Sequence, residues 1–503
     1  MRCSSVLLPP TGNSSCFVIN SKNRSYKHQY SNIYFTRLAM LKKPVLERAK
    51  ARWEDLDGSP VYVPRVLDVI KSQLCWVLGT VYMDMPLKPN VLEDLGRDHS
   101  LPPPQFKEKI YSDQDSITLE DESGRIKLVG QKLLSTHLVT GVIVAALGME
   151  TPGGEFEVID MCFADLAPFA EQYATGNNGM DVDSGTTQPD EYLAVVSGLS
   201  IGTESKADAQ IQILVEYLSG EVGGLDDQTV ASQITRLIIA GNSLSSVAET
   251  ENGAEEDDKK PKKLSTVTPS DISPHPNSIL SAHLHDLASA LPVHILPGPD
   301  DPSGAILPQQ PFPRAMFSGA TNFETFHRET NPVWLRLRCG TDEQSSSKGS
   351  SSPRPPVTRS VLVTSGQPVL DMFKYLPTPP FTLVSIAELT LKWRHIAPTA
   401  PDTLWCHPYY ERDPFVLRET PDVYIIGGMS TFATTLVGAE QDGKRKRSRQ
   451  CRLVLLPSFT ETGTLVLINM RTLDVHCVKF GVKGLSAGGG QAEIPEEDAM
   501  QEG

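Results

Sequence analysis

The chain has 503 residues, a hydrophobic fraction of 39% and a formal net charge of −15 at pH 7. This length predicts roughly three domains, and the acidic balance argues against autonomous DNA binding because phosphate neutralisation requires clustered lysine and arginine. The eight cysteines form no C-x-x-C pair, so a reducing intracellular compartment fits better than a disulfide framework or structural zinc. No apolar stretch is long enough to span a bilayer, and we expect no membrane partner.

The amino-terminal part of the chain predicts a tail, a helix and a small β domain. Residues 1–30 are polar and irregular, and they predict a disordered tail. Apolar residues at helical spacing over 31–56 predict a kinked helix or a helical hairpin, with Pro44 in a first turn. Five short β patterns between residues 71 and 168 predict a five-stranded Greek-key barrel of the OB type. We expect these strands at 74–83, 117–120, 126–129, 139–147 and 156–159.

Barrels of the OB type often bind single-stranded nucleic acid through basic grooves and stacking aromatic side chains. The aromatic candidates in this barrel are Trp76, Tyr82, Phe106 and Tyr111. Aromatic side chains in such strands more often pack in the core, and this stretch is poor in basic residues. A role as a stand-alone binder of single-stranded DNA is therefore kept only as a second alternative.

The remainder of the chain predicts a larger α/β domain. Residues 170–190 are rich in Gly, Asn, Asp and Thr, and they predict a linker. Strand and helix patterns then alternate over 191–480, which is typical of an α/β layout. We expect strands at 192–196, 236–240, 293–296 and 361–364, helices at 208–218 (capped by Asp208), 280–287, 368–376 and 383–393, and a closing β meander over 423–478. Flexible inserts are expected at 245–277, 341–356 and 438–450, and a disordered acidic tail at 481–503.

Two adjacent carboxylates follow the strand predicted at 293–296. The run Pro297-Gly298-Pro299 forces a sharp turn, and Asp300 and Asp301 come directly after it. Ligand sites in open α/β sheets lie at the carboxyl ends of strands, so this turn points first to a metal-dependent phosphoesterase. Adjacent carboxylates after such a turn more often complete the turn or accept hydrogen bonds from backbone amides, and we favour that structural interpretation.

The layered α/β pattern with glycine-centred turns at its strand ends resembles the calcineurin-like metallophosphoesterases. Their chemistry requires two divalent ions about 4 Å apart, held by Asp, His and Asn side chains at five strand ends. At the corresponding turns this chain keeps two carboxylates and one amide among small or apolar residues, so we expect no metal, no cofactor and no catalytic residue. The degenerate metal-site positions are Ser197, Leu199, Asn242, Pro299, Asp300, Asp301, Ser365, Gly428 and Ser430.

Three local sequences narrow the resemblance. Residues 162–168 read CFADLAP, 307–311 read LPQQP and 394–404 read RHIAPTAPDTL. Together with 29–53 and 116–127, they resemble the B subunits of replicative DNA polymerases, and above all the small (second) subunits of DNA polymerase delta. The resemblance covers 29–480 apart from the inserts. It implies an OB-type barrel ahead of an inactive phosphodiesterase-like α/β sandwich that lacks its metal ligands.

The resemblance also implies a function, that of a non-catalytic scaffold in the nucleus for DNA replication and repair. One surface would bind the cysteine-rich carboxyl-terminal domain of the polymerase delta catalytic subunit, and another would bind a third subunit that reaches the sliding clamp. The catalytic subunit of translesion polymerase zeta is a further candidate partner, and clamp and DNA would be contacted only indirectly. Archaeal relatives of this subunit keep their metal ligands, so an active phosphodiesterase or 3′–5′ exonuclease stays as the first alternative.

Two groups of residues are candidates for contact with other molecules. Rigid loops that carry aromatic side chains lose little entropy on binding, and on this ground we expect partner contacts among Phe312, Trp405, Tyr409 and Tyr410. A basic run is interpreted either as a nuclear localisation signal or as a solvated charge cluster, and the sequence favours neither. Its members are Lys444, Arg445, Lys446 and Arg447.

Overall fold

The computed structural model describes residues 2–20, 24–56, 58, 60–89, 109–136, 138–170, 190–202, 205–245, 275–340, 356–438 and 449–481. Apart from terminal residues, the predicted linker at 170–190 and the predicted tail at 481–503 lie outside that part of the chain, and so do most residues of the three predicted inserts. Among the described helices, none combines the length and the apolar character that crossing a bilayer requires.

The described residues form three sheets with helices packed against them. In chain order the elements begin with β1 Ser5–Leu8, α1 Asn32–Trp53, β2 Val61–Tyr62, β3 Cys75–Asp84, β4 Ser116–Glu120, β5 Arg125–Val129, α2 Gln131–Ser135, β6 Ile143–Glu150 and β7 Phe156–Cys162. They continue with β8 Tyr192–Val196, α3 Ser205–Ser219, α4 Leu225–Gln233, β9 Ile234–Ala240, α5 Pro276–Ala290, β10 Val293–Leu296, β11 Phe326–Arg328, β12 Val333–Cys339 and β13 Val357–Thr364. They end with α6 Gln367–Tyr375, α7 Leu383–Lys392, β14 Val423–Met429, β15 Ala433–Gly438, β16 Gln450–Pro457, α8 Phe459–Thr462, β17 Thr464–Asn469 and β18 Val475–Lys479.

The first sheet closes on itself. Strands β3, β4, β5, β7 and β6 pair in that order, and β6 also pairs with β3, while β2 runs parallel to the start of β3. Helix α1 packs against this sheet through one apolar stripe, which comprises Leu38, Leu41, Val45, Ala49 and Trp53. Burial of that stripe explains why the helix continues through Pro44, which lacks the N–H of a regular helical position. The first-turn position predicted for Pro44 is therefore wrong.

Two aromatic residues of this sheet, Trp76 and Tyr82, already contact other side chains of the protein, which leaves less of each ring for stacking on nucleic acid. Trp76 is 3% exposed, and its ring lies 5.6 Å from that of Trp53 and 4.4 Å from that of Tyr62. The half-buried Tyr82 lies under the ammonium group of Lys88, with 4.9 Å between Nζ and the ring centre. Tyr111 is partly exposed, and Phe106 lies outside the described residues. The core interpretation of the barrel aromatics therefore holds for Trp76.

The other two sheets face each other. One has the order β1-β12-β13-β14-β16-β15 and the other has the order β11-β10-β9-β8-β17-β18. Their facing sides share one apolar cluster, because alternate residues of each strand point to the same side; its members include Val195, Ile238, Leu296, Val363, Ile425 and Val454. Helices α3 and α5 cover the outer side of the second sheet, and α6 and α7 cover that of the first. The layers are helix, sheet, sheet, helix.

The predicted disordered tail at residues 1–30 is contradicted by the structure. Ser5–Leu8 forms an antiparallel strand on the edge of β12, where it satisfies backbone groups that would otherwise be unpaired. Farther along, Phe17 is 3% exposed and its ring stacks on that of Phe415 with 6.0 Å between centroids. The segment follows the surface of the larger unit instead of leaving it.

Two further predictions are wrong in detail. Helix α3 begins at Ser205, so Asp208 lies in the first turn and is not the residue that caps it. The strands after residue 423 do not form a meander, because β14 and β16 are parallel neighbours in one sheet while β17 and β18 belong to the other. Adjacent position in the sequence was a poor guide to pairing here.

Candidate functional site

Five strand ends of the two facing sheets meet at one cleft. The segments after β8, β9, β10 and β16 and the end of β14 line it, and its volume is about 580 Å³. Helices α6 and α7 form an apolar wall through Leu370, Phe373 and Leu383. The structure thus brings together four of the residues singled out from the sequence, namely Asn242, Asp300, Gly428 and Ser430.

Asn242 and Asp300 are bonded to each other in this cleft. The side-chain amide of Asn242 donates to Oδ2 of Asp300 at 2.7 Å, and the backbone N–H of Asp300 donates to Oδ1 of Asn242 at 3.3 Å. Asn242 has a φ of +55°, a left-handed conformation that asparagine tolerates better than most residues. The two side chains therefore hold the turns after β9 and β10 together.

The carboxylate of Asp301 is buried in the turn after β10. Its side chain is 4% exposed and accepts hydrogen bonds from the backbone N–H of Leu244 at 2.8 Å and of Gly298 at 2.7 Å. Burial raises the pKa of this carboxyl to about 6, although the backbone donors act in the opposite direction. This geometry agrees with the interpretation that the carboxylate completes the turn. Pro299, two residues earlier, is exposed.

Small residues beside the cleft let the strand ends approach one another closely. The hydroxyl of Ser197 donates to the carbonyl oxygen of Ala240 at 2.8 Å and accepts from the N–H of Gly428 at 3.0 Å. A Cβ atom placed on Gly427 would lie 2.2 Å from the oxygen of Ala240 and 2.6 Å from Oγ of Ser197. The strand ends approach so closely that only glycine fits at Gly427. Leu199, which follows the first turn, is buried in the core under α3.

Ser365 is held in a buried network that the sequence analysis missed. Its N–H donates to Oδ1 of Asn331 at 3.0 Å, and its hydroxyl donates to Oε1 of Gln367 at 2.6 Å. Gln309 extends the network, because its amide donates to the carbonyl oxygen of Gly298 at 3.0 Å. Gln309 lies in the LPQQP sequence, so the family resemblance marked it, but no local pattern singled out Asn331.

The strand-end side chains do not fit a pair of divalent ions. Such a centre needs several carboxylate, imidazole and amide ligands directed at two points. Two exposed carboxylates, those of Asp300 and Glu461, and one amide, that of Asn242, line the cleft, and Asp300 and Asn242 already bind each other. The carboxylate of Asp301 is buried and accepts backbone hydrogen bonds. The other positions singled out from the sequence are serine, glycine, leucine or proline. Within the described residues, no group of three or more His, Cys, Asp and Glu side chains is placed to hold a metal ion.

The predicted interface residues have different environments. Phe312 is 1% exposed and packs edge-on against Phe317 at 5.6 Å, so its predicted contact with a partner is wrong. Tyr409 is half-buried against Phe415. Trp405 and Tyr410 are 61% and 59% exposed, so both are available to a partner.

The basic run Lys444–Arg447 lies outside the described residues. Arg449, which follows it, has a defined position: its Nε and Nη2 each donate to the buried carboxylate of Asp422 at 2.9 Å. The carboxyl-terminal end of the predicted insert at 438–450 is therefore attached to the sheet.

Two protein-family models match the chain, one for each unit. The model described as "DNA polymerase delta subunit OB-fold domain" matches residues 29–161. The model for the B subunits of DNA polymerases alpha and epsilon matches residues 193–341 and 357–434. These matches define the class of the protein as a B-type DNA polymerase subunit with an OB-fold domain ahead of its α/β unit.

The relatives specify the polymerase. The DNA polymerase delta small subunit of Arabidopsis thaliana is 34% identical over 455 residues, which cover 90% of this chain and 92% of that protein. The corresponding Saccharomyces cerevisiae subunit is 32% identical over 499 residues, with 93% of each chain covered. DNA polymerase delta subunit 2 of Drosophila melanogaster is 32% identical over 473 residues, with 92% and 96% covered. The chain belongs to the DNA polymerase delta small subunit family, which confirms the resemblance predicted from its sequence.

Proposed function

We propose that the chain is a non-catalytic scaffold subunit of a DNA polymerase delta complex. The observation that carries this proposal is the combination of family membership with a strand-end cleft whose Asn242 and Asp300 bind each other. In an enzyme of the two-metal type those side chains would be needed for the ions. Here the two side chains stabilise turns. The subunit would therefore act through its outer surfaces, by binding other proteins.

The two facing sheets are, in this proposal, a phosphoesterase-type sandwich that has kept its turns and lost its ligands. Three features support it: the mixed sheets, the glycine turns at the strand ends, and the cleft where those turns meet. The closed sheet of β3, β4, β5, β7 and β6 would be the OB-type barrel.

The partners in this proposal are other protein subunits. One surface would hold the cysteine-rich carboxyl-terminal domain of the catalytic subunit, and another would hold the third subunit that reaches the sliding clamp. The catalytic subunit of polymerase zeta is a candidate for the first surface. Exposed aromatic side chains such as Trp405 and Tyr410 support protein contacts, because interface energy concentrates in such residues. The nucleus would be the site of action, in replication and repair.

Reconstitution tests the scaffold role. The full chain, mixed with the purified catalytic and third subunits, should form a stable three-chain complex on gel filtration, and omitting this chain should separate the other two. If the two partners associate equally well without it, the bridging role is wrong.

A parallel assay addresses catalysis. The chain should hold no stoichiometric manganese and should not hydrolyse single-stranded DNA or a phosphodiester in its presence, and Asp300→Asn should behave as the wild type. Two tightly bound ions, together with hydrolysis that Asp300→Asn abolishes, would instead establish the phosphodiesterase alternative.

A further inference from the structure

A surface that shares no residue with the lining of the cleft is assembled from two segments distant in the sequence. Residues 24–30 lie against the loop 405–412: the ring of Tyr26 lies 5.4 Å from that of His407, and the ring of His28 stacks on that of Tyr410 at 4.5 Å. The hydroxyl of Thr36, in α1, donates to the carbonyl oxygen of Tyr410 at 3.2 Å. We call this region the aromatic surface, defined by Tyr26, His28, Trp405, His407 and Tyr410.

Large aromatic side chains of this surface face solvent. Tyr26 is 58% exposed, Trp405 is 61% exposed and Tyr410 is 59% exposed. Single exposed apolar residues are normal on a soluble protein, but a group of exposed aromatics on one small region marks a place of contact. Tyr and Trp are also the residue types that dominate binding energy at protein interfaces.

The charge around these rings is opposite to that of the whole chain. Residues 24–30 and 405–412 contain Arg24, Lys27 and Arg412, all exposed, against a single acidic residue, Glu411. The chain as a whole carries a formal charge of −15. A local basic excess on so acidic a protein attracts a negatively charged group to this region.

His407 adds an independent sign of an incomplete site. Its side chain is 5% exposed, and its Nδ1 has no hydrogen-bond partner among the described residues. A buried polar atom without a partner costs free energy, so such atoms are rare and call for a cause. Nδ1 belongs to the ring against which Tyr26 packs. Because Tyr26 is exposed, a small shift of its ring on binding would let another molecule reach Nδ1 of His407.

We propose that the aromatic surface docks an acidic segment of another protein subunit of the polymerase complex. The inference rests on the proposed scaffold function and adds the chemistry of one partner. Carboxylates of the segment would meet Arg24 and Arg412, and its apolar side chains would cover the rings of Trp405 and Tyr410. Single-stranded DNA also stacks on aromatics, but its affinity depends on many phosphate contacts, and three cations on a chain of charge −15 supply few.

Binding measurements with full-length chains test this inference. The affinity for the purified catalytic subunit and, separately, for the purified third subunit is measured at about 50 and about 300 mM salt. Trp405→Ala combined with Tyr410→Ala should weaken binding to one of them at least about tenfold. Arg24→Glu combined with Arg412→Glu should weaken binding to the same subunit and reduce its dependence on salt.

Matched controls alter equally exposed residues elsewhere. Leu225 is 84% exposed on α4, and Arg65 is exposed before β3, so Leu225→Ala and Arg65→Glu should leave both affinities unchanged. If the wild-type chain binds neither subunit, the scaffold function fails. If it binds both and the surface variants bind as tightly, the docking inference is overturned while the scaffold function stands. If the variants lose binding to oligothymidylate while binding to both subunits stays intact, the docking inference is overturned and the aromatic surface is a nucleic-acid site instead.

Discussion

Arg37 and Asp413 form an ion pair from which solvent is excluded, with 2.8 Å between Nε and Oδ2 and neither side chain exposed. The remaining guanidinium nitrogens donate to the carbonyl oxygens of Gly141 at 3.2 Å, of Pro398 at 2.6 Å and of Ala400 at 2.7 Å. Arg37 belongs to α1, Gly141 precedes β6 of the closed sheet, and the other partners belong to the α/β unit. One side chain thereby joins all three parts of the molecule.

Removing this guanidinium should destabilise the chain strongly. In Arg37→Met the carboxylate of Asp413 stays buried without its main charge partner, so we expect the free energy of unfolding to fall by about 3–5 kcal/mol. Urea denaturation at neutral pH, followed by tryptophan fluorescence, measures the change. Trp53 and Trp76 lie between α1 and the closed sheet, and Trp393 lies in the α/β unit, so the fluorescence reports on both units.

An exposed ion pair on the same helix is the control. Lys43 and Glu47 are 3.9 Å apart, with side chains 83% and 65% exposed, so Lys43→Met should change the stability by at most about 0.5 kcal/mol. A loss below about 1 kcal/mol in Arg37→Met would show that the pair does not hold the units together.

Two buried histidines should make the protein less stable in mild acid. Burial lowers the pKa of His294 to about 4, and burial together with the charge of Arg37 lowers the pKa of His395 to about 4. An unfolded histidine has a pKa of about 6.5, so between about pH 6.5 and pH 4 the unfolded chain binds more protons than the folded chain. Stability therefore falls as the pH falls through this window, by up to about 1.4 kcal/mol per pH unit for each histidine.

The contribution of one histidine is isolated by comparison with His294→Gln. Asp301 acts in the opposite direction, because its pKa is raised to about 6, but it contributes equally to both proteins. The difference in free energy of unfolding between wild type and variant should shrink from pH 7 to pH 5. Parallel pH profiles would contradict a neutral, buried His294.

Local patterns predicted the elements whose apolar side chains face a core. The strand expected at 192–196 coincides with β8, and the helix expected at 383–393 differs from α7 by one residue. Strand β12 was missed although its buried and half-buried residues alternate, because the polar insert beside it dominated the composition. Pairing that depends on distant partners, such as β1 on β12, leaves no local pattern to detect.

In the cleft, too, local patterns identified some residues, while residues defined by contacts between distant segments were missed. Glycine turns after predicted strands identified Asn242, Asp300 and Ser430, which the fold does bring together. Asn331 was missed because its importance comes from contacts with Ser365 and Gln309, and those contacts exist only after two sheets have packed. Phe312 was misassigned because an aromatic ring in a proline-rich loop has the same local pattern whether it faces solvent or the core.

Adding a methyl group at Gly427, where two strand ends meet, should destabilise the protein strongly. In Gly427→Ala the new Cβ would lie 2.2 Å from the carbonyl oxygen of Ala240, a backbone atom that moves only if the sheets separate. We expect a loss of about 3 kcal/mol or more, or failure to fold, because overpacking against backbone leaves little room to relax. Thermal unfolding measures the effect. Gly304→Ala, where a Cβ would meet nothing within 4 Å, should stay within about 0.5 kcal/mol of wild type.

The amino-terminal segment offers a test of its own, because its contacts with the rest of the chain are few enough to be removed one at a time. Phe17 is 3% exposed and stacks on Phe415, the amide of Gln310 donates to the carbonyl oxygen of Phe17 at 3.1 Å, and Thr11 and Ser14 donate to Glu419. Burying a phenylalanine side chain contributes about 1.5–3 kcal/mol, so Phe17→Ala should raise the detached population by roughly 10- to 100-fold. Limited proteolysis should then cut within residues 2–20 faster by a similar factor.

Val18→Ala, at a side chain 52% exposed, is the control and should be cut at the wild-type rate. Equal cleavage of the wild type and Phe17→Ala would mean that the segment is not held by this contact, and the disordered tail predicted from composition would be the better description.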